Sequence, residues 1–299
     1  MKQRDIRTDN SEHPPSDPRE SWDLPPIGKL TRVAVLDDVT IRVLAPNAGP
    51  MTLDGTNTYI VGLPSQRAVI VDPGPEDHSH LEMVRRVVSE RDVTVKGIFV
   101  THRHRDHAAA AAAWASEFDV PIISGSEETS GQGGVVVGDG SQLDVEGVGG
   151  IEVVATPGHI DDHLSLRLPT GALLVGDHIL GRGTSVISRN GGNLTDYLES
   201  LRKVHRLGPD ALFPGHGPEL VEDPTAVVDY YLAHRHHRLD QILSVLADGP
   251  LTVEDIVKRL YPELGPDMAA AAAHSVIAAV RHLESEGLLP PGSCNASGL

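Results

Sequence analysis

Residues 101–107 read THRHRDH, three histidines, an aspartate and two arginines between an apolar run and six alanines. Three other places share its layout, an apolar run that meets Gly, Pro or Thr and then His or Asp. They are VATPGH ending at His159, LLVGDH holding Asp177, and LFPGHG holding His216. Strand ends are rigid positions from which side chains can converge on one rim. Imidazole and carboxylate suit zinc and related divalent metals. His102 and His104 stand two apart, with Asp106 and His107 one short turn beyond. One ion would be crowded by all four, whereas two neighbouring ions can divide them. Two cations roughly 3.5–4 Å apart can share a hydroxide, lower its pKa and clamp the attacked and leaving oxygens. An ionised aspartate between them offsets their repulsion, and Asp177 is suitably placed for that.

The elements around these residues follow from composition and pattern. VTIRVLAP (39–46), NTYIVG (57–62), RAVIVDPG (67–74) and TVKGIFVTH (94–102) are rich in Val and Ile and punctuated by Gly and Pro, as strands are. Residues 76–91 carry apolar side chains near helical spacing, and the alanine run from 108 has high helix propensity. A second set repeats the rhythm: strands in 151–159, 163–169, 171–178 and 210–217, with a polar helix over 194–206. This predicts an α/β chain with two packed sheets and helices on their outer faces. The Gly-rich segment 130–140 lacks the Lys-Ser/Thr ending of a phosphate loop and reads as a hairpin or pocket-edge loop. With only 3 % aromatics, Ala, Val and Leu must do most of the packing.

Composition shifts near residue 225. A long helical run to Gly249, a Thr252–Asp255 capping arrangement and a helix over 267–289 predict a small helical, winged-helix-like domain. The expected division is a flexible arm at 1–28, a catalytic domain at 29–224, the helical domain at 225–290 and a loose tail at 291–299 holding the single cysteine, Cys294. The helical domain is expected to pack on the catalytic one or to form a homodimer contact. It shows no dense basic face for DNA.

The net charge of −17 disfavours a broad nucleic-acid or anionic-membrane surface. The N-terminus has no apolar core of a secretory signal, its acids argue against a mitochondrial transit peptide, and no stretch is long and apolar enough for a membrane span. A cytoplasmic protein is expected.

THRHRDH, TPGH, GDH and PGHG, in that order, resemble the metallo-beta-lactamase superfamily over about residues 38–222. The resemblance implies an αβ/βα sandwich with a dinuclear site at the sheet edge. His102, His104 and His159 would hold one zinc, Asp106, His107 and His216 a second, and Asp177 would bridge them. The same ligands accept Mn2+ or Fe2+. Asp106 would also orient the attacking water, which makes Asp106 and Asp177 the catalytic candidates. GPMTLDGTNTYIVG, TPGHIDDHLSL, GDHILG and HRHHRLDQIL extend the resemblance to the lactamase-like protein 2 group, to about residue 289. That group implies either an acyl hydrolase, as in fungal thioesterases acting on carrier-bound polyketides, or a single-strand endoribonuclease. The spacer Arg103 and the alanines after the motif depart from the family pattern.

Charge and the missing basic tract favour a small or carrier-bound acyl substrate (thioester, ester or lactam-like amide) over RNA. A metal-bearing interaction protein without turnover is the third reading. Asn57 and Tyr59 are candidate substrate contacts, and Asp161, Asp162, His163 and His178 candidate supports for the ligands. Arg182, Arg235 and Arg238 are candidate anchors for an anionic substrate.

Overall fold

Side chains along the strands alternate between two burial environments, and this alternation builds the layers. The computed structural model describes residues 14–295. Among them, β1 (Val33–Val35), β2 (Thr40–Leu44), β3 (Asn57–Val61), β4 (Arg67–Val71), β5 (Thr94–Phe99), β6 (Ile122–Ser124) and β7 (Val135–Val136) form a seven-stranded sheet in sequence order. It is antiparallel from β1 to β4 and parallel from β4 to β7. The Gly-rich segment thus supplies a parallel edge strand and not a hairpin. A five-stranded sheet of β8 (Gln142–Val145), β9 (Gly149–Ala155), β10 (Leu164–Arg167), β11 (Ala172–Gly176) and β12 (Ala211–Pro214) runs in the order β12-β11-β10-β9-β8.

The two sheets face each other through Tyr59, Val69, Val71 and Phe99 on one side and Val153, Leu164, Leu166 and Phe213 on the other. The alternate residues Ile41, Ile60, Ile70 and Ile98 point outward onto α1 (His78–Glu90) and onto α3 (Ala111–Phe118), which follows the single turn α2 (Arg105–Ala108). A short α4 (Glu127–Ser130) precedes β7. On the opposite face, Leu173, Val175 and Leu212 pack on Tyr197, Leu198 and Leu201 of α5 (Leu194–Leu207) and on Val227, Val228 and Tyr231 of α6 (Pro224–Leu246). The result is the expected α/β sandwich, helices outside two sheets.

The boundary expected at 225 falls at the start of α6, and no break in the core occurs there. Leu239, Ile242 and Leu246 of the same helix continue the cluster into Val253 and Ile256 of α7 (Val253–Leu260) and Val276, Val280 and Leu283 of α8 (Pro266–Ser285). The Thr252 cap forms, its Oγ1 accepting the Asp255 N–H at 3.1 Å.

The segments expected as a flexible arm and a loose tail are described only in part. Residues 1–13 and 296–299 lie outside the described residues, but Pro18–Ser21 form a 3-10 turn. Arg19 is buried there, donating to Leu180 O and Gly183 O, each at 2.7 Å, under the rings of Tyr230 and Tyr231. Such a buried guanidinium would be costly without its Asp17 partner at 2.6 Å. Cys294 lies in β14 (Cys294–Asn295), parallel to β13 (Leu251–Thr252), because that pairing satisfies backbone groups that a free tail would leave to water. Among the described residues, no helix is long and apolar enough to cross a membrane.

Candidate metal centre

The C-terminal ends of β5, β9, β11 and β12 meet at one edge of the sandwich. His102 and His104 follow β5, Asp106 and His107 sit in α2, and His159, Asp177 and His216 follow β9, β11 and β12. Their donor atoms form two groups, each with all atoms within 4.8 Å of one another: His102, His104, His159 and Asp177, then Asp106, His107, Asp177 and His216. In the first, His104 Nδ1 lies 2.9 Å from His102 Nε2 and 2.9 Å from His159 Nε2. Asp177 Oδ2 is 3.9 and 3.8 Å from those two Nε2 atoms. In the second, His107 Nε2 and His216 Nε2 are 3.1 Å apart, and Asp177 Oδ1 is 3.3 and 3.4 Å from them. Asp106 Oδ2 completes it at 3.1 Å from His216 Nε2. Asp177 therefore presents one oxygen to each group.

The donor set fits a divalent metal. Tetrahedral zinc with bonds of about 2.0–2.1 Å has neighbouring donors roughly 3.3 Å apart, the middle of these separations. Asp177 Oδ1 is screened from solvent yet has no well-aligned hydrogen-bond donor, as expected of an oxygen reserved for a cation. Every imidazole also has its other nitrogen engaged, which fixes the orientation of the ring. Thr101 Oγ1 is 3.0 Å from His102 Nδ1, Ser188 Oγ 2.9 Å from His104 Nε2, and Gly55 O 3.1 Å from His216 Nδ1. Val186 O takes His159 Nδ1 at 2.5 Å, and Asp72 Oδ2 takes His107 Nδ1 at 2.7 Å.

Charge differs between the two groups. Burial pushes His102 and His159 below the ordinary histidine range and His104 down to about 4, leaving them neutral with a lone pair to offer. Burial alone would also lower His107 and His216, but Asp177 overrides it in both. His107 is held well above its usual value and His216 up at about 9. Burial opposes the charge on Asp177, yet His216 and His107 hold it ionised. Asp106 is likewise held down at about 2, mainly by His107 against the cost of burial.

Two glycines allow this crowding. A Cβ on Gly215 would lie 2.6 Å from Asp177 Oδ1 and 2.7 Å from His107 Cε1. Gly176 has φ +46, and a Cβ there would come within 2.7 Å of His163 Nε2.

The residues expected beside the ligands divide. His163 supports the site: its Nε2 accepts the Asp177 N–H at 3.1 Å and its Nδ1 meets Thr156 Oγ1 at 2.8 Å. His178 is buried against the Tyr197 ring at 4.9 Å, outside both ligand groups. Asn57 and Tyr59 are 0 % and 2 % exposed, which leaves no surface for substrate. They tie the sheets together instead, Asn57 Nδ2 donating to Pro214 O and Gly217 O and Tyr59 Oη to Pro214 O at 2.7 Å. Asp161 and Asp162 both pair with the spacer Arg103. Arg182 donates to Pro25 O of the N-terminal segment, so it is turned to the chain and not to a substrate. Arg235 is buried over Tyr197 and donates to Ser185 O, while Arg238 stacks on Tyr261 at 4.4 Å.

Sequence reasoning missed Asp72, Thr101 and Ser188. Asp72 directly follows strand β4 in RAVIVDPG, beside the strand that carries the motif. An aspartate closing a buried strand was the available signal. Ser188 had none, since it reaches His104 across 84 residues.

Two sheets inside helices, with a histidine and aspartate cluster at the strand ends, define a metal-dependent hydrolase. Residues 51–216 match the metallo-beta-lactamase superfamily and residues 252–289 the beta-lactamase associated winged helix domain. The chain belongs to the metallo-beta-lactamase superfamily. It is 33 % identical over 277 residues to a beta-lactamase-like protein 2 homolog of Drosophila melanogaster, covering 87 % of this chain and 92 % of the relative. It is 29 % identical to an atrochrysone carboxyl ACP thioesterase of Aspergillus fumigatus, covering 81 % and 80 %. A beta-lactamase domain protein from Burkholderia ambifaria shares the fold at a TM-score of 0.74 and 19 % identity, covering 90 % and 91 %. Family and cluster together indicate a divalent-metal site.

Proposed function

We propose that the protein is a dinuclear zinc-dependent hydrolase of small or carrier-bound acyl compounds, thioesters first. The observation that carries the proposal is the shared carboxylate, with Asp177 Oδ1 and Oδ2 belonging to different groups of four donors. His102, His104 and His159 would hold one ion, Asp106, His107 and His216 the other, with Asp177 between them. Bound divalent ions supply Lewis acidity, which acidifies water near neutral pH and polarises an acyl oxygen. The chain supplies the rest. Asp177, held ionised, offsets the repulsion between two cations. Asp106, the more exposed carboxylate at 30 % of its side chain, can accept a hydrogen bond from a water and orient it. His163 fixes Asp177 through its backbone N–H, and Asp72 and Thr101 hold His107 and His102 at their angles.

An acyl substrate is supported by the net charge of −17, which repels a long polyanion, and by the relative that is named an ACP thioesterase. Arg182, Arg235 and Arg238 are engaged within the protein and assemble no phosphate-binding row. The test is parallel turnover of acyl-thioester, ester, lactam and single-stranded RNA panels by zinc-loaded protein, with Asp177→Ala as the contamination control. Metal-dependent thioester hydrolysis that vanishes in the variant is expected. RNA cleavage that vanishes in the variant, without acyl turnover, overturns the substrate class.

A further inference from the structure

The segment between β11 and α5, residues 179–193, forms neither helix nor strand, yet it touches three of the five histidines of the cluster. Gly181 N–H donates to His216 O at 2.9 Å, and Ser188 N–H donates to His159 O at 2.9 Å. Val186 O receives His159 Nδ1, and Ser188 Oγ meets His104 Nε2. Its own support comes from parts of the chain remote in sequence. Arg19 of the N-terminal segment donates to Leu180 O and Gly183 O. Tyr231 Oη of α6 accepts the Leu180 N–H at 2.8 Å, and Arg235 of α6 donates to Ser185 O. Ser275 Oγ of α8 accepts the Ile187 N–H at 3.2 Å.

From Ser185 to Ser188 the contacts alternate. Ser185 and Ile187 are held by the C-terminal helices, while Val186 and Ser188 hold the ligands His159 and His104. Neighbouring residues of an extended chain face opposite ways, so one short strap can grip a domain on one side and two imidazoles on the other. Ile187 is fully buried in the core shared by α5, α6 and α8, which anchors the strap at its middle. The α8 helix is itself tied to α5, with Thr195 Oγ1 2.7 Å from His282 Nδ1.

We infer that Ser275 and Arg235 of the C-terminal helices are positioning residues for the metal centre, setting the angles of His104 and His159 through the 185–188 strap. The winged-helix region is then a structural part of the first ligand group, and its docking sets how firmly that group holds its ion. This rests on the assignment of His102, His104, His159 and Asp177 to a metal. Among the described residues, the 185–188 strap meets His104 and His159 and no ligand of the second group, so the effect is expected at one ion.

The test uses full-length protein loaded with zinc or cobalt(II), comparing Ser275→Ala, Arg235→Met and the conservative Ser275→Thr. Ser285→Ala is the control, because its hydroxyl bonds only within α8. Stepwise removal of metal by a competing chelator gives two dissociation constants, and the cobalt ligand-field spectrum reports the geometry. Loss of a direct partner of a ligating histidine costs about 10–100-fold in affinity. One bond further out, Ser275→Ala and Arg235→Met are expected to weaken one constant by about threefold to tenfold and leave the other unchanged. Ser275→Thr is expected to restore it, and Ser285→Ala to match the wild type. Two ions held by Ser275→Ala with both constants and the cobalt spectrum unaltered overturn the strap. Wild-type protein that retains no ion at all overturns the metal assignment instead, so the two failures are distinct.

Discussion

Replacing Asp72 by Asn tests how the second ligand group is oriented. Asp72 is 2 % exposed and accepts three hydrogen bonds: from Thr101 N at 2.8 Å, from Thr101 Oγ1 at 2.8 Å and from His107 Nδ1 at 2.7 Å. Its φ is +52, a left-handed conformation that Asn tolerates well, so the backbone is not the casualty. The amide has one acceptor where the carboxylate had two. If its oxygen keeps the Thr101 N–H, its NH2 faces His107 Nδ1, which must then accept. The proton moves to Nε2 and removes the lone pair that a metal requires. If the amide flips, His107 keeps its tautomer but the NH2 confronts the buried Thr101 N–H. An unsatisfied buried donor costs about 1–3 kcal/mol. Metal binding must therefore be made from the poorer arrangement, at a loss of roughly 5- to 150-fold in affinity at about 1.4 kcal/mol per tenfold. Chelator competition on wild type and Asp72→Asn, with circular dichroism as the folding control, measures the loss. A folded variant that retains two ions with wild-type constants would refute the reasoning.

Gly215→Ala should abolish most turnover while leaving a folded protein, because the added methyl displaces Asp177 and His107. Activity within twofold of wild type would contradict the close approach. Metal affinity should fall with acidity. Burial lowers His216, but Asp177 holds it at about 9, so below that pH an arriving ion must displace its proton, at about tenfold in affinity per pH unit. A flat profile between pH 6.5 and 8.5 would count against it. His80, buried and lowered to about 4 by desolvation and then by Arg32, makes the stability of the fold decline with acidity as well. Between pH 4 and 6.5 the unfolded chain binds the extra proton, so stability present above 6.5 is lost as pH falls, by about 2 kcal/mol at pH 5. His80→Gln should narrow the difference in unfolding free energy between pH 8 and pH 5 by that amount, and an unchanged difference would disprove it. Asn57→Ala leaves Gly217 O without its donor and Pro214 O with Tyr59 Oη alone, and should destabilise the fold by about 1–3 kcal/mol without changing KM. A raised KM with unaltered stability would restore Asn57 as a substrate contact.

The seven clustered donors were legible because each follows a buried strand closely, where chain direction is set by the sheet and apolar runs reveal the strand. His163 was legible from the other end of a strand, lying just ahead of β10. Asn57 and Tyr59 misled. Polar and amphipathic groups near a motif suggest contact with ligand, but here their partners are carbonyls of the other sheet, and one chain's pattern does not encode the pairing of two sheets. Arg19 and Arg235 were illegible as buried groups, since arginine is ordinarily exposed and their carbonyl partners lie 161 and 50 residues away. The alanine runs did carry information. Ala110, Ala111 and Ala271, Ala273, Ala278 and Ala279 are buried where bulkier side chains would hold helices apart.

The division of donors between the sheets also has a consequence in time. His102, His104, Asp106 and His107 emerge together during synthesis, yet each group of four also needs Asp177, so the first group closes with Asp177, after His159, and the second with His216. A nascent chain shorter than 177 residues can complete neither group. Ions captured early would be held by two or three loose side chains and exchange freely with the cell's other ligands. Firm capture would wait until the second sheet had docked on the first, so a metal would enter last and act as a clasp on a sandwich already assembled.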